Sequence, residues 1–304
     1  MARTTAILAL ATLAVALAHS ASSAPDAQWA ATGQALGKSG TIMPGGIYRV
    51  GLPRTDLQVT LDGVAIKPTF ALGSWVAFSP MGHDAMVMGD LVLTEDEIAP
   101  VMKKLKDGGI EITALHNHLL RARPSTLYMH IYGHGQPVAL AQSIHDALAL
   151  SKTPLGDAAA PAGAPPQIDL DTAMIDSTLS APHGQIAGGV YQIGIPRAET
   201  IKENGMTVPP AMGSAEAINF QPMGGGKAAI TGDFVLTAKE VTPVQRALLD
   251  NGIEVTALHS HMVDEQPRLY FMHFWANDDA AKLAKGLRVA LDKVNLKKDD
   301  LAKK

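Results

Sequence analysis

The sequence predicts an α+β protein made of two tandem homologous domains. Each is a mainly antiparallel sheet with helices on one face, and the pair is related by a pseudo-two-fold axis. Three observations predict this. Residues 109–118, GIEITALHNH, recur as residues 252–261, GIEVTALHSH, identical at eight of ten positions and 143 residues apart. Smaller matches extend the repeat: residues 46–54 with 189–197, 80–82 with 222–224, 89–94 with 232–237, and Pro100 with Pro243. Within each copy, short runs that alternate apolar and polar are broken by helical patterns and turn residues.

The elements of one copy follow in order. Residues 26–39 read as a short helix, after which Gly45-Gly46 breaks the chain. Residues 47–52 form a strand that stops at Pro53. Residues 57–66 alternate around Asp62-Gly63, a hairpin signal. Residues 74–79 and 85–93 are two more strands joined by the turn at 80–83. Thr94 with Glu97 three residues on is a capping box, and Thr237 with Glu240 repeats it. The helix runs to Asp107 and stops at Gly108-Gly109; its counterpart stops at Asn251-Gly252. Residues 110–119 and 127–132 are strands whose short connection makes a hairpin, and residues 138–150 are the closing helix. The strand–helix–strand segment 89–118 is a parallel crossover if its strands share the sheet.

The organisation read from the chain is a signal peptide over residues 1–24, a first repeat over 25–150, an Ala/Pro-rich flexible linker over 151–167, a second repeat over 168–296 and a charged tail over 297–304. Arg3, the apolar run 6–17 and Ser22-Ser23-Ala24 carry the signal-peptide expectation, and with it a periplasmic or secreted location. No later apolar stretch is long enough for a membrane span. The chain has no cysteine, so disulfides, thiolate metal sites and thiol nucleophiles are excluded. Formal net charge is −4, and −5 once Arg3 is removed with the leader. An acidic surface argues against nucleic acid as partner. A small molecule or an envelope component is the partner expected. Gly224-Gly225-Gly226 does not join a strand to a helix, so no nucleotide cofactor is expected.

Six histidines carry the chemistry. His116, His118 and His130 in the first copy are matched by His259, His261 and His273 in the second. Imidazole is the commonest protein metal ligand. Strand alternation puts His116 and His118 on one face, and the hairpin brings His130 alongside, a three-histidine arrangement suited to zinc or copper with a position left open. The competing reading is that these are hydrogen-bonded core histidines. The same alternation puts Glu111, and Glu254 with it, on the opposite face, where a salt-bridged or solvated role competes with ligation. Asp90 and Asp233 either orient a histidine or are turn residues. Tyr128 and Tyr132, with Phe271 and Trp275 in the second copy, are expected to wall the pocket. His83 and His134 lack a histidine counterpart. His83 with Met86 and Met88 is a further candidate ligand group, against a strand-core role for the two methionines. Arg54 and Arg197, each after a strand-ending proline, offer an anion contact or, ahead of it, a structural salt bridge. No catalytic residue is assigned; a metal-dependent hydrolase and a non-enzymatic binding module both remain open.

The segments Ala114-Leu115-His116-Asn117-His118 and Met129-His130, with Gly89-Asp90 before them, resemble the LppY/LpqO-like family of exported bacterial proteins, a domain of unknown function, over nearly the whole chain in both copies. The resemblance implies export and the duplicated fold and supplies no reaction.

Overall fold

Each repeat builds one six-stranded antiparallel sheet. In the first repeat the elements are α1 (Ala24–Leu36), β1 (Thr41–Met43), β2 (Ile47–Pro53), β3 (Val59–Leu61), β4 (Val64–Ile66), α2 (Pro68–Ala71), β5 (Gly73–Met81), β6 (Asp84–Leu93), α3 (Glu95–Asp107), β7 (Glu111–His116), β8 (Leu127–Gly135) and α4 (Pro137–Leu148). The second has α5 (Thr172–Leu179), β9 (Gln185–Ala187), β10 (Val190–Pro196), β11 (Lys202–Glu203), β12 (Met206–Thr207), β13 (Ala215–Gly224), β14 (Lys227–Thr237), α6 (Ala238–Asp250), β15 (Glu254–His259), β16 (Leu269–Asp279) and α7 (Ala280–Leu291). This computed structural model describes residues 24–157 and 167–297. The expected leader up to residue 23, residues 158–166 and residues 298–304 lie outside the described residues.

The sheet orders are β1-β2-β5-β6-β8-β7 and β9-β10-β13-β14-β16-β15, the same topology twice. Strands β6 and β7 flank β8 and pair antiparallel with it, so they run in the same direction. The segment around α3 is thus a crossover between parallel strands with one strand set between them.

Strand β6 shows how sequence sets the layers. Ala85, Val87, Leu91 and Leu93 point to the helix side and pack with Val101, Leu105, Ile144 and Leu148. Met86, Met88, Asp90 and Val92 point the other way, to the second repeat. Both faces are buried, which is why the strand reads as an almost unbroken apolar run. Met86 and Met88 therefore sit in an inter-repeat core.

Thr94 with Glu97 and Thr237 with Glu240 form the expected capping boxes. Each glutamate also holds the arginine after the strand-ending proline. Arg54 donates to Glu97, Asp56 and the Val92 carbonyl; Arg197 pairs with Glu240 and Glu199 and donates to the Val235 carbonyl. Both guanidiniums are buried, so these are structural ion pairs.

The repeats exchange arms. The β3–β4 hairpin and α2 of the first repeat pack against Val190, Ala229 and Trp275 of the second. Reciprocally, the 201–212 segment of the second repeat packs on Ile47, Ala77, Met86 and Met88 of the first. Polar bonds fasten the first arm: Lys67 N to Gln221, Thr69 Oγ1 to the Ala187 carbonyl, and Trp275 Nε1 to Asp62. The first part of the expected linker is not free chain. Asp157 accepts from Ser39 N and Oγ at 2.8 Å each, Gly156 N donates to the Gly37 carbonyl and Lys152 N donates to Glu97. Residues 151–157 thus belong to the first repeat.

Candidate metal centre

The six repeated histidines meet in one place, between the inner faces of the two sheets. They stack as three pairs, each with one member from either repeat. His116 lies on His259 with ring centroids 3.5 Å apart, His118 on His273 at 3.5 Å, and His130 on His261 at 3.7 Å. Tyr128 covers the His118 ring at 3.4 Å and Phe271 covers His261 at 3.5 Å.

Three local features place these rings. Strand β8 pairs His130 directly opposite Asp90, and β16 pairs His273 opposite Asp233. Strand β7 ends at His116, earlier than residues 110–119 suggested, and His118 stands in the following loop. A bulge at Thr113, repeated at Thr256, adds an unpaired residue to each edge strand. That bulge reverses the expectation for Glu111. Simple alternation puts it opposite to the histidines, yet Glu111 pairs with Tyr132 and Ala114 with His130, so Glu111 shares their face. It is exposed and joins none of the candidate ligand groups. Glu254 lies opposite Trp275 and is engaged by Arg121 of the first repeat at 2.7 Å, a salt bridge between repeats.

The glycines before the aspartates allow close backbone approach. A Cβ on Gly232 would lie 1.9 Å from the Ala217 carbonyl oxygen, and one on Gly89 2.8 Å from that of Trp75. The Gly232 carbonyl oxygen lies 2.8 Å from His273 Nδ1. If Nδ1 donates there, Nε2 keeps its lone pair free for a cation.

Eight ring nitrogens of the cluster are buried without a hydrogen-bond partner: both on His116 and His259, and Nε2 on His118, His130, His261 and His273. Asp90 Oδ1 and Asp233 Oδ1 are orphaned beside them. Buried polar groups are nearly always satisfied, and each orphan costs about 1–3 kcal/mol. Two sets of four, His116-His118-His259-His273 and His116-His118-His130-His261, have candidate ligand atoms all within 4.8 Å of one another; Asp233-His261-His273 is a third group. The residues fit a metal ion that takes nitrogen donors.

Burial holds the imidazoles neutral, the form that ligates. It lowers His116 to about 4 and, aided by the neighbouring rings, His259 to about 2; His273 falls to about 3 despite the Gly232 carbonyl. His118, His130 and His261 are lowered well below 6.5 for the same reason. Burial works oppositely on the carboxyls: Asp90 rises to about 8, tempered by Arg49, and Asp233 is raised well above 3.8 by burial and then by Asp90. Asp90 Oδ1 is 3.8 Å from His130 Nε2, and Asp233 is 3.8 Å from His273 Nε2 and 3.7 Å from His261 Nε2.

A cavity of about 490 Å³ reaches the cluster and is lined by His118, His130, His261 and His273 together with Asp90 and Asp233. Tyr128 lines it. Phe271 instead backs His261, while Tyr132 and Trp275 sit in the inter-repeat cores. The walls differ between repeats. Register equates Trp75 with Ala217 and Ser74 with Glu216, since Trp75 pairs with Asp90 and Ala217 with Asp233. Sequence equates Arg49 with Gln192. Arg49 lies over the Trp75 ring at 4.0 Å and donates to the Ala211 carbonyl. Sequence reasoning passed over Arg49; its signal is the one charge in segment 46–51 that the second copy replaces. His83 and His134 are exposed and stand apart from the cluster. Asp90 is seven residue steps beyond His83, about 23 Å at ~3.3 Å per step along β6.

The chain is thus a duplicated α+β protein with a histidine cluster shared between its halves. It belongs to the family described as Domain of Unknown Function (DUF1259), which matches residues 30–150 and again residues 173–293. No curated protein matches it. Among solved structures, a trimeric bacterial microcompartment shell protein, PduB, is 13% identical, covers 81% of this chain and 86% of its own, and has a TM-score of 0.18. EtuB from Clostridium kluyveri is 7% identical, covers 83% and 90%, and has a TM-score of 0.19. Likeness at that level carries no argument about this chain.

Proposed function

We propose that the protein binds a transition metal, zinc first and copper second, at a centre to which both repeats contribute histidines. One observation carries the reading: eight buried, unpartnered ring nitrogens gathered in one cluster. The donor set is nitrogen with carboxylate at hand and no thiolate, which suits zinc or copper(II). An ion bound here would act as a Lewis acid and lower the pKa of coordinated water. Around it, His118, His130, His261 and His273 present donors to the cavity, and Asp90 and Asp233, beside the Nε2 atoms of His130 and His273, stand where a carboxylate oxygen could join the donor set.

The cavity favours a small molecule reaching the centre, so a metal-dependent hydrolase is the activity proposed. A binding module without chemistry is the second reading, favoured by the same cavity; it differs in being indifferent to chelators. The N-terminal apolar run and the resemblance to LppY/LpqO-like proteins support export to the periplasm or beyond.

Metal analysis of untagged protein tests the reading. Substoichiometric loading at less than about a tenth of an equivalent after incubation with zinc or copper, unchanged in His116→Ala, would overturn it. An uncleaved N-terminus on protein recovered from the producing cells would overturn export.

A further inference from the structure

We infer that the cluster binds two metal ions, in two equivalent three-histidine sites that have exchanged one ligand between repeats. This rests on the metal-binding reading above. One site is His116, His130 and His261; the other is His259, His273 and His118. The pseudo-two-fold maps one set onto the other and uses each of the six histidines once.

Three observations lead there. The first is supply. One tetrahedral ion takes four donors, which leaves half of the eight orphaned nitrogens unpartnered, each at a cost. The second is grouping. His116, His130 and His261 all fall within one set of mutually close donors, and His118, His259 and His273 within the other. The division within repeats fails this check: His259, His261 and His273 share no such set. The third is the place of each second histidine across the repeats; stacking alone does not mark a shared ion, since His116 and His259 also stack at 3.5 Å and fall in different sites. His118 lies against His273, 3.5 Å away, and His130 against His261, 3.7 Å away. Each H-x-H segment therefore sends its second histidine to the partner repeat's β-strand histidine. The first histidine of each segment stays at the centre, with ring centroids 5.0 Å between His116 and His130 and 4.9 Å between His259 and His273.

Three protein ligands leave a fourth position for water or a bound molecule, the arrangement of catalytic zinc sites. Asp90 beside His130, and Asp233 beside both His273 and His261, lie next to those positions. The two centres thus face a common cavity and could engage one small ligand between them.

Metal stoichiometry on the full chain, by native mass spectrometry after zinc loading and removal of free zinc, tests this. The expected result is two equivalents. The double variant His118→Ala/His259→Ala removes two ligands of one site and is expected to keep one. His116→Ala/His118→Ala strikes both sites and is expected to keep none. One equivalent in the parent chain would overturn the two-ion inference and leave the shared centre standing; none would overturn both. The reverse pattern in the double variants would overturn the exchange. Circular dichroism checks each variant's fold, and glutamine replaces alanine where alanine unfolds the chain.

Discussion

His116 and His259, 143 residues apart, lie face to face with ring centroids 3.5 Å apart at the junction of the repeats. Both nitrogens of each ring are buried and unpartnered. Metal ions taken up through these rings would bind only the folded, docked state, so binding is linked to stability. Metal at about 100 times its Kd adds about 2.7 kcal/mol per bound ion, which raises the melting temperature by about 4–5 °C per ion for a chain of this size. Differential scanning calorimetry should show the gain, reversed by a chelator and missing from His116→Ala.

Acid should destabilise the metal-free protein. The imidazoles have folded pKa values below the ordinary 6.5, so the unfolded chain binds more protons once pH drops beneath that value. The stability is present above pH 6.5 and is lost as pH falls toward about 4 for His116 and about 3 for His273. His273 alone is expected to cost about 2 kcal/mol at pH 5. Urea titrations at pH 7 and pH 5 measure this; an equal midpoint at both would contradict it.

Asp90 has the opposite sign. Burial raises its carboxyl from 3.8 to about 8, so its contribution is present below pH 3.8 and lost as pH rises through 8. Asp90→Asn is therefore expected to stabilise metal-free protein at pH 8 by about 1–3 kcal/mol. Chemical denaturation at pH 8 in the presence of a chelator provides the measurement, and a destabilised variant would refute the sign.

Gly232→Ala should be severe. Its Cβ would meet backbone at 1.9 Å, which cannot yield without moving β13. The expected loss is about 3 kcal/mol or more. Gly51→Ala, where a Cβ meets nothing within 4 Å, serves as the tolerated control. Similar melting temperatures for the two variants would show that the close approach is not what selects glycine.

Much of this was legible because it is local. The hairpin at Asp62-Gly63, the boxes at Thr94 and Thr237 and the paired strands around His130 depend on neighbours within a few residues. The duplication marked the histidines, and they do converge. Two features were out of reach. Strand parity cannot foresee a bulge, so Thr113 carried Glu111 to the face it was not expected to share. Nor does parity within one copy say anything about the other copy. The stacking of His118 on His273 depends on how two whole sheets dock, fixed by arms whose contacts join residues more than 100 positions apart, such as Lys67 with Gln221.

The unequal cavity walls are possible because both repeats lie in one polypeptide. In an assembly of two identical chains every substitution appears twice, once on each side of the axis, and a charge near that axis meets its own copy. Joining the halves in one polypeptide removes that restriction. Arg49 can face a wall that carries Gln192, and Glu216 can stand where the other side has Ser74. A small molecule entering such a chamber would meet unlike walls at its two ends, so the two histidine sites, alike in their donors, differ in their surroundings.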